Sequence, residues 1–215
     1  MKSLIAIIAG AMLLAAPLEG AWAADRHLFY VHGCCIKDMN DPKVQAYEKI
    51  VRALQDDGFD VVFDIRTADV GDNDAAAQAH AARIAGEVNA LLARGVAPAD
   101  ITVAGYSLGA MTTLLAAGLI ANPDVNFVLL AGCPVRASIP VSIDYSRIKG
   151  RVLAVIDAGD DKFGSCSGRL PEGVTYREVV LNSGVGHAVF RLDTDRYMKL
   201  WKEPLLNWAQ GKAPP

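Results

Sequence analysis

The residues whose types and spacing are best suited to chemistry are Gly105-Tyr106-Ser107-Leu108-Gly109. A serine hydroxyl attacks a carbonyl only when a base takes its proton and donors hold the charge that develops on the oxygen. The G-x-S-x-G spacing matters because of what flanks it. An apolar strand, Ile101-Thr102-Val103-Ala104, runs in, and a helix-forming stretch from Ala110 to Ile120 runs out. A serine at such a turn takes a strained backbone that holds its hydroxyl clear of the sheet. A side chain at either glycine would collide with the strand or the helix. The helix N-terminus adds free N–H groups and a positive dipole end beside the hydroxyl.

Strands and helices alternate on both sides of that turn. His27 to Val31 is a first strand and Asp41 to Gln55 a helix, with Val44, Tyr47, Ile50, Val51 and Leu54 at helical spacing. Asp60 to Ile65 is a second strand, followed by an alanine-rich helix from Asp74 to Arg94 with Ala85, Val88, Leu91 and Leu92 on one side. After the serine helix come strands at Asn126 to Ala131, Val152 to Ile156 and Tyr176 to Leu181. A last helix, Asp193 to Ala209, carries Tyr197, Leu200, Trp201, Leu205 and Trp208 as its apolar side, with a kink expected at Pro204. Several strands are apolar at nearly every position, as strands covered on both faces are. The class expected is α/β: a mostly parallel sheet of about six strands with helices on both faces, joined by right-handed crossovers.

With these residues in place the chain resembles the α/β-hydrolase family in a minimal, capless form. The first strand ends in His32-Gly33, like the His-Gly that precedes the oxyanion loop of many lipases and esterases. The early hairpin that opens many members is missing. Gly186-His187-Ala188-Val189-Phe190, after the last strand, is similar to the family's Gly-His-x-x-Phe segment and implies His187 as the base. Glycines 184 and 186 would let its loop approach the serine closely. His27, His32 and His80 are poorer candidates, His32 being expected as a structural residue of the oxyanion loop. The acid follows the strand ending at Ile156, in Asp157-Ala158-Gly159-Asp160-Asp161. The resemblance to Gly-x-x-Asp favours Asp160, but Asp157 stands in the glycine slot, so Asp161 and Asp157 remain open. The resemblance implies backbone oxyanion donors at Leu108 and, in the loop after His-Gly, at Cys34 or Cys35.

All four cysteines, Cys34, Cys35, Cys133 and Cys166, lie beyond the leader and allow three pairings. None has the C-x-x-C spacing of a zinc or thioredoxin-type site, so no metal is expected. In the family the strands preceding Cys133 and Cys166 are neighbours with their ends on one edge. That implies a Cys133–Cys166 disulfide, with Cys34 and Cys35 either free or joined as an adjacent pair.

The first residues read as a secretory leader: Lys2, an uncharged stretch from Leu4 to Ala16, breakers at Pro17 and Gly20, then Ala21-Trp22-Ala23. Cleavage after Ala23 would leave residues 24–215 as one exported hydrolase domain, periplasmic or secreted, in a compartment that permits disulfides. About a dozen apolar residues is short of the roughly 20 that span a bilayer, so no lasting membrane anchor is expected. The formal net charge of −3 offers no footprint for nucleic acid or anionic lipid. Sequence alone does not set the oligomeric state.

These residues lead to an exported serine hydrolase that cleaves a small carboxylic ester through Ser107, His187 and an aspartate, without a cofactor. A thioesterase, acyltransferase or amidase would use the same groups. A hydrolase-fold binding protein without turnover is the alternative of a different class. No cap domain separates the serine helix from the acid-bearing strand, and the loop Val135 to Ile143 is partly apolar. Short acyl chains are therefore expected to fit best.

Overall fold

The computed structural model describes residues 26–67, 73–135 and 141–214. The proposed leader and cleavage site lie outside these residues, as do residues 136–140 of the Val135 to Ile143 loop. The chain runs β1 (Arg26–Val31), α1 (Pro42–Asp56), β2 (Phe59–Phe63), α2 (Asp74–Ala93), β3 (Ile101–Tyr106), α3 (Leu108–Ile120) and β4 (Asn126–Leu130). It continues through β5 (Cys133–Pro134), β6 (Arg151–Asp157), β7 (Phe163–Gly164), β8 (Thr175–Leu181) and α4 (Asp195–Ala209). The main sheet is all-parallel, in the order β2-β1-β3-β4-β6-β8.

Alternation along each strand divides the core in two, because successive side chains leave opposite faces of a strand. Leu28 and Tyr30 of β1, Ala104 and Tyr106 of β3, Val128 and Leu130 of β4, and Leu153 and Val155 of β6 pack under α1 and α4. Phe29, Val31, Ile101, Val103, Phe127, Leu129, Val152 and Ala154 pack under α2 and α3. The apolar stripe of α1 is the expected one, with Val44, Tyr47, Ile50, Val51 and Leu54 all buried. In α4 the buried side is Met198, Trp201, Leu205 and Trp208, and Leu200 is exposed. The helix continues through Pro204, which is itself buried. Capping follows the sequence: Asp41 accepts from the Lys43 N–H ahead of α1, and Asn73 from the Ala76 N–H ahead of α2.

The sheet reverses its order of build-up at β1. From β1 the chain goes to β2 on one side, then crosses to β3 on the other, so the carboxyl ends of β1 and β3 are neighbours with Val31 opposite Gly105. Crevices at such a switch point are where open α/β sheets place their ligands.

The sequence reading missed one small element. β5 and β7 form a two-residue antiparallel ladder beyond the main sheet, with Cys133 opposite Gly164. Two-residue strands carry no periodicity, so only the folded chain reveals them. Next to this ladder Cys133 and Cys166 form a disulfide with Cα atoms 5.1 Å apart, and both residues are fully buried. It ties the end of β4 to the segment after β6. Closing a loop across 33 residues removes enough unfolded-state freedom to contribute about 2–4 kcal/mol. The Cys133→Ala/Cys166→Ala protein is therefore expected to lose about 2–4 kcal/mol in guanidinium unfolding. Coincident unfolding curves for the variant and the oxidised parent would show that the bridge contributes nothing.

Candidate active site

Ser107 sits between β3 and α3 with φ 57° and ψ −118°, a backbone conformation that costs an L-residue energy and persists only where the surroundings enforce it. The enforcement comes from close backbone packing. A Cβ at Gly105 would lie 2.1 Å from the Gly109 carbonyl oxygen, and one at Gly109 would lie 2.0 Å from the Val31 carbonyl oxygen. Both positions admit only glycine. The Ser107 N–H donates to the Leu130 carbonyl at 3.1 Å, tying the turn to β4. Although Ser107 precedes a helix, its hydroxyl makes no capping bond.

That hydroxyl instead meets His187, whose Nε2 lies 2.9 Å from Ser107 Oγ. The other ring nitrogen, Nδ1, lies 2.5 Å from Asp160 Oδ2. The Asp160 side chain has no exposed surface, and that of His187 is 19% exposed. Of the three aspartates left open by the sequence, only Asp160 reaches the imidazole. Asp157 does other work: Oδ1 accepts the Gly159 N–H at 2.9 Å and Oδ2 the Ser183 N–H at 2.9 Å, joining the acid turn to the histidine loop. Asp161 lines the cleft beside them. Burial alone would push the Asp160 carboxyl up. The hydrogen bond from His187, with the Lys162 and Phe163 N–H groups on Oδ1, outweighs burial and holds it below the usual carboxylate range.

The histidine must come from far away. β8 stands three strands from β3, about 14 Å at ordinary strand spacing, so its loop has to fold back across the sheet ends. Gly186 makes this possible. It takes φ 58°, and a Cβ there would lie 2.7 Å from the Gly159 carbonyl oxygen. The ring is then clamped: Phe163 stacks on it at 5.2 Å, Tyr106 packs at 5.1 Å, and the Tyr106 hydroxyl donates to the His187 carbonyl at 3.0 Å. Sequence reasoning missed Tyr106 and Phe163. Tyr106 stands next to the serine and could have been suspected; nothing local marks Phe163.

On the other side of Ser107 lies the loop after β1. Gly33 packs against the serine turn, where a Cβ would come within 3.3 Å of Ser107 Cβ. His32 Nδ1 donates to the Gly33 carbonyl at 2.6 Å, while Nε2 accepts the Arg66 N–H at 2.8 Å. His32 is therefore a neutral, structural residue of this loop. Its burial, reinforced by the charge of Arg66, lowers its pKa to about 3 against the opposing pull of the Gly33 carbonyl. Gly33 C=O and Cys34 N–H belong to one trans peptide, so the His32 bond also sets the direction of the Cys34 N–H. Neither that N–H nor the Leu108 N–H donates to a protein group among the described residues. Cys34 and Cys35 are joined in a disulfide, with Cys35 at φ 72°. Ser107, His187, Leu108 and both cysteines open onto one cleft of about 1230 Å³. No His, Cys, Asp and Glu cluster suited to a metal occurs among the described residues.

No protein-family model matches the chain, and no curated protein sequence does. Its structure does find relatives. It superposes on SOBER1 of Arabidopsis thaliana with a TM-score of 0.52 at 13% identity, covering 86% of this chain and 98% of that one. A Klebsiella pneumoniae protein described as a candidate dienelactone hydrolase gives 0.59 at 15% identity, covering 89% of each. A structure from work on the metagenome-derived lipolytic enzymes LipS and LipT gives 0.55 at 15% identity, covering 88% and 95%. The chain has the α/β-hydrolase fold.

The buried His32 has a consequence for stability. Its pKa of about 3 lies below the roughly 6.5 of an unfolded chain. Below pH 6.5 the unfolded state takes up a proton that the folded state refuses, so its contribution is complete above pH 6.5 and drains away as pH falls toward 3. Between pH 7 and pH 5 wild type should lose about 2 kcal/mol more than His32→Asn in urea unfolding. A stability gap between the two proteins that is equal at both pH values would refute this.

Proposed function

We propose that this protein is a serine hydrolase acting on a carboxylic ester. The observation that carries the reading is the unbroken hydrogen-bonded chain from Ser107 Oγ through His187 to Asp160. In that chain Asp160 holds the Nδ1–H tautomer, which leaves the Nε2 lone pair facing the serine hydroxyl. Ser107 Oγ attacks the ester carbonyl as its proton passes to Nε2. The charge that develops on the carbonyl oxygen is met by the N–H groups of Leu108 and Cys34, at the N-terminus of α3 and in the facing loop. Nε2 returns the proton to the departing alcohol, leaving an acyl group on Ser107. Water then attacks the acyl-enzyme with His187 again as base, releasing the acid and restoring the serine. Apart from the substrate and water, every step uses groups the chain itself supplies, so the reading calls for no cofactor.

Export is part of the proposal. The leader-like N-terminus motivates it, and it is compatible with two disulfides and with the lack of any helix among the described residues long and apolar enough to cross a membrane. The substrate reading is a short acyl ester. Between α3 and β6 the described residues form only β4, β5 and a single 3-10 turn at Tyr145–Arg147, and the charged Lys43, Asp161, Lys162 and Arg191 are among the residues that line the cleft. A long acyl chain would gain little burial there, at roughly 25 cal/mol per Å² of apolar surface.

Ser107→Ala and His187→Ala should each lower kcat on p-nitrophenyl acetate by on the order of 10⁴-fold or more, with the double variant little worse. Asp160→Asn presents an amide to Nδ1 and favours the wrong tautomer, so a loss of roughly 10⁴-fold is expected. A fluorophosphonate probe should label wild type and not Ser107→Ala. An unlabelled, inert wild type would leave a hydrolase-fold binding protein as the better description. Across a p-nitrophenyl ester series, acyl chains of about two to four carbons should give the highest kcat/KM, with no rate jump above the solubility limit. Rising activity with chain length and emulsification would overturn the short-acyl reading.

A further inference from the structure

The Cys34–Cys35 disulfide sits where a stability bond has little to do. Its partners are adjacent in sequence, so it closes no loop of chain and barely restricts the unfolded state. Cys133–Cys166, by contrast, spans 33 residues and lies fully buried. What the adjacent bond does restrict is the peptide between its own two cysteines. It closes a ring through that peptide at the point where Cys35 takes φ 72°, a region L-residues other than asparagine and aspartate rarely enter. The loop is held on either side of this ring. His32 holds the Gly33 carbonyl, and Lys43 Nζ donates to the Cys35 carbonyl at 2.5 Å. Between those two anchors lies the Cys34 N–H, beside the cleft that Ser107 faces.

Resting on the hydrolase reading above, we propose that the Cys34–Cys35 disulfide, together with the His32 bond, is a positioning element for the Cys34 oxyanion donor, and that opening it with a dithiol switches hydrolysis down. Exposure favours this bond over the other. Cys35 is exposed and Cys34 half-buried at the cleft, whereas Cys133 and Cys166 have no exposed surface. In the opening reaction one thiolate of the dithiol attacks Cys35 Sγ, and the S–S bond breaks to release Cys34 as a thiolate that takes a proton. The reagent's second thiol then attacks the mixed disulfide, closing its own S–S bond and releasing Cys35 as a thiol. One disulfide is reduced and one dithiol is oxidised, with two electrons and two protons passing to the protein. Without the ring, Cys35 relaxes toward negative φ and the peptide that follows Cys34 turns. Cys34 is then held on one side only, by the His32 bond to the Gly33 carbonyl, and its N–H shifts from its place beside the Ser107 cleft. Ser107, His187 and Asp160 are untouched by this change, so the loss falls on kcat rather than on folding.

The test uses the full exported chain purified oxidised. It is exposed to graded dithiothreitol and desalted without air, and thiols are counted by mass after native alkylation of an aliquot. At the stage where only Cys34 and Cys35 are free, kcat on p-nitrophenyl acetate should fall at least about tenfold, toward the roughly 10²–10³-fold that loss of a whole oxyanion donor costs. KM and the far-ultraviolet circular dichroism should change little, and reoxidation should restore the rate. Two variants separate positioning from simple damage. Cys35→Ala should resemble the reduced protein. Cys35→Gly, which takes φ 72° without penalty, should recover much of kcat and be indifferent to dithiol. Unchanged kcat in the reduced protein or in Cys35→Ala, with oxidised wild type active, would overturn the proposal and leave the hydrolase reading standing. An oxidised wild type that neither turns over esters nor reacts with the fluorophosphonate would remove both.

Discussion

The site depends on one steric constraint: the backbone of α3 presses directly against the ends of β1 and β3. Gly109 lies under the Val31 carbonyl and Gly105 under the Gly109 carbonyl, with room for hydrogen alone at both positions. That contact forces Ser107 to φ 57° and brings the first N–H groups of α3 to the sheet's edge. It also brings the loop after β1 alongside the serine, because β1 and β3 are paired neighbours at the switch point of the sheet. The strained Ser107 and the two N–H groups beside it are therefore consequences of a single packing event. A methyl group at either glycine would have to push a helix off a sheet.

The second half of the site solves a problem of distance. His187 belongs to the loop after β8 and meets Ser107 at the end of β3, with β6 and β4 between. The solution uses short contacts between two loops rather than a long insertion. Gly186 lies against the Gly159 carbonyl, and Asp157 bonds to N–H groups on both loops. The acid turn is in turn held to the β5–β7 ladder and the Cys133–Cys166 bridge, since Phe163 of β7 both stacks on the His187 ring and gives its N–H to Asp160. The small ladder thus holds His187 and Asp160 together.

Two buried polar groups show how the fold meets the cost of removing water. The Asp160 side chain is enclosed, yet three donors surround its carboxylate and hold it below the usual carboxylate range against the upward push of burial. His32 takes the opposite course and stays neutral, one nitrogen donating and the other accepting, so its ring acts as a rigid strut between the loop after β1 and Arg66. The same physics gives one group a charge and denies it to the other, according to the partners within reach.

Much of this was legible in the sequence. The alternation of apolar strands and amphipathic helices follows from local periodicity, and so do the five buried residues of α1. The serine turn could be read because its glycines and its strand-to-helix setting are contiguous. Which aspartate meets His187 could not be chosen from the sequence alone, since Asp157, Asp160 and Asp161 stand within five residues and differ only in the direction their carboxylates take. That direction is set by contacts with a loop 26 residues further on, as the Asp157–Ser183 bond shows. Likewise the joining of Cys34 to Cys35, the stacking of Phe163 on His187 and the hold of Lys43 on the Cys35 carbonyl leave no periodic trace. The sequence by itself determined which segments are strands and helices and where the strained serine turn stands, because those depend on near neighbours. Which side chains meet it was decided by the tertiary structure alone, because a parallel sheet brings together strand ends that lie far apart along the chain.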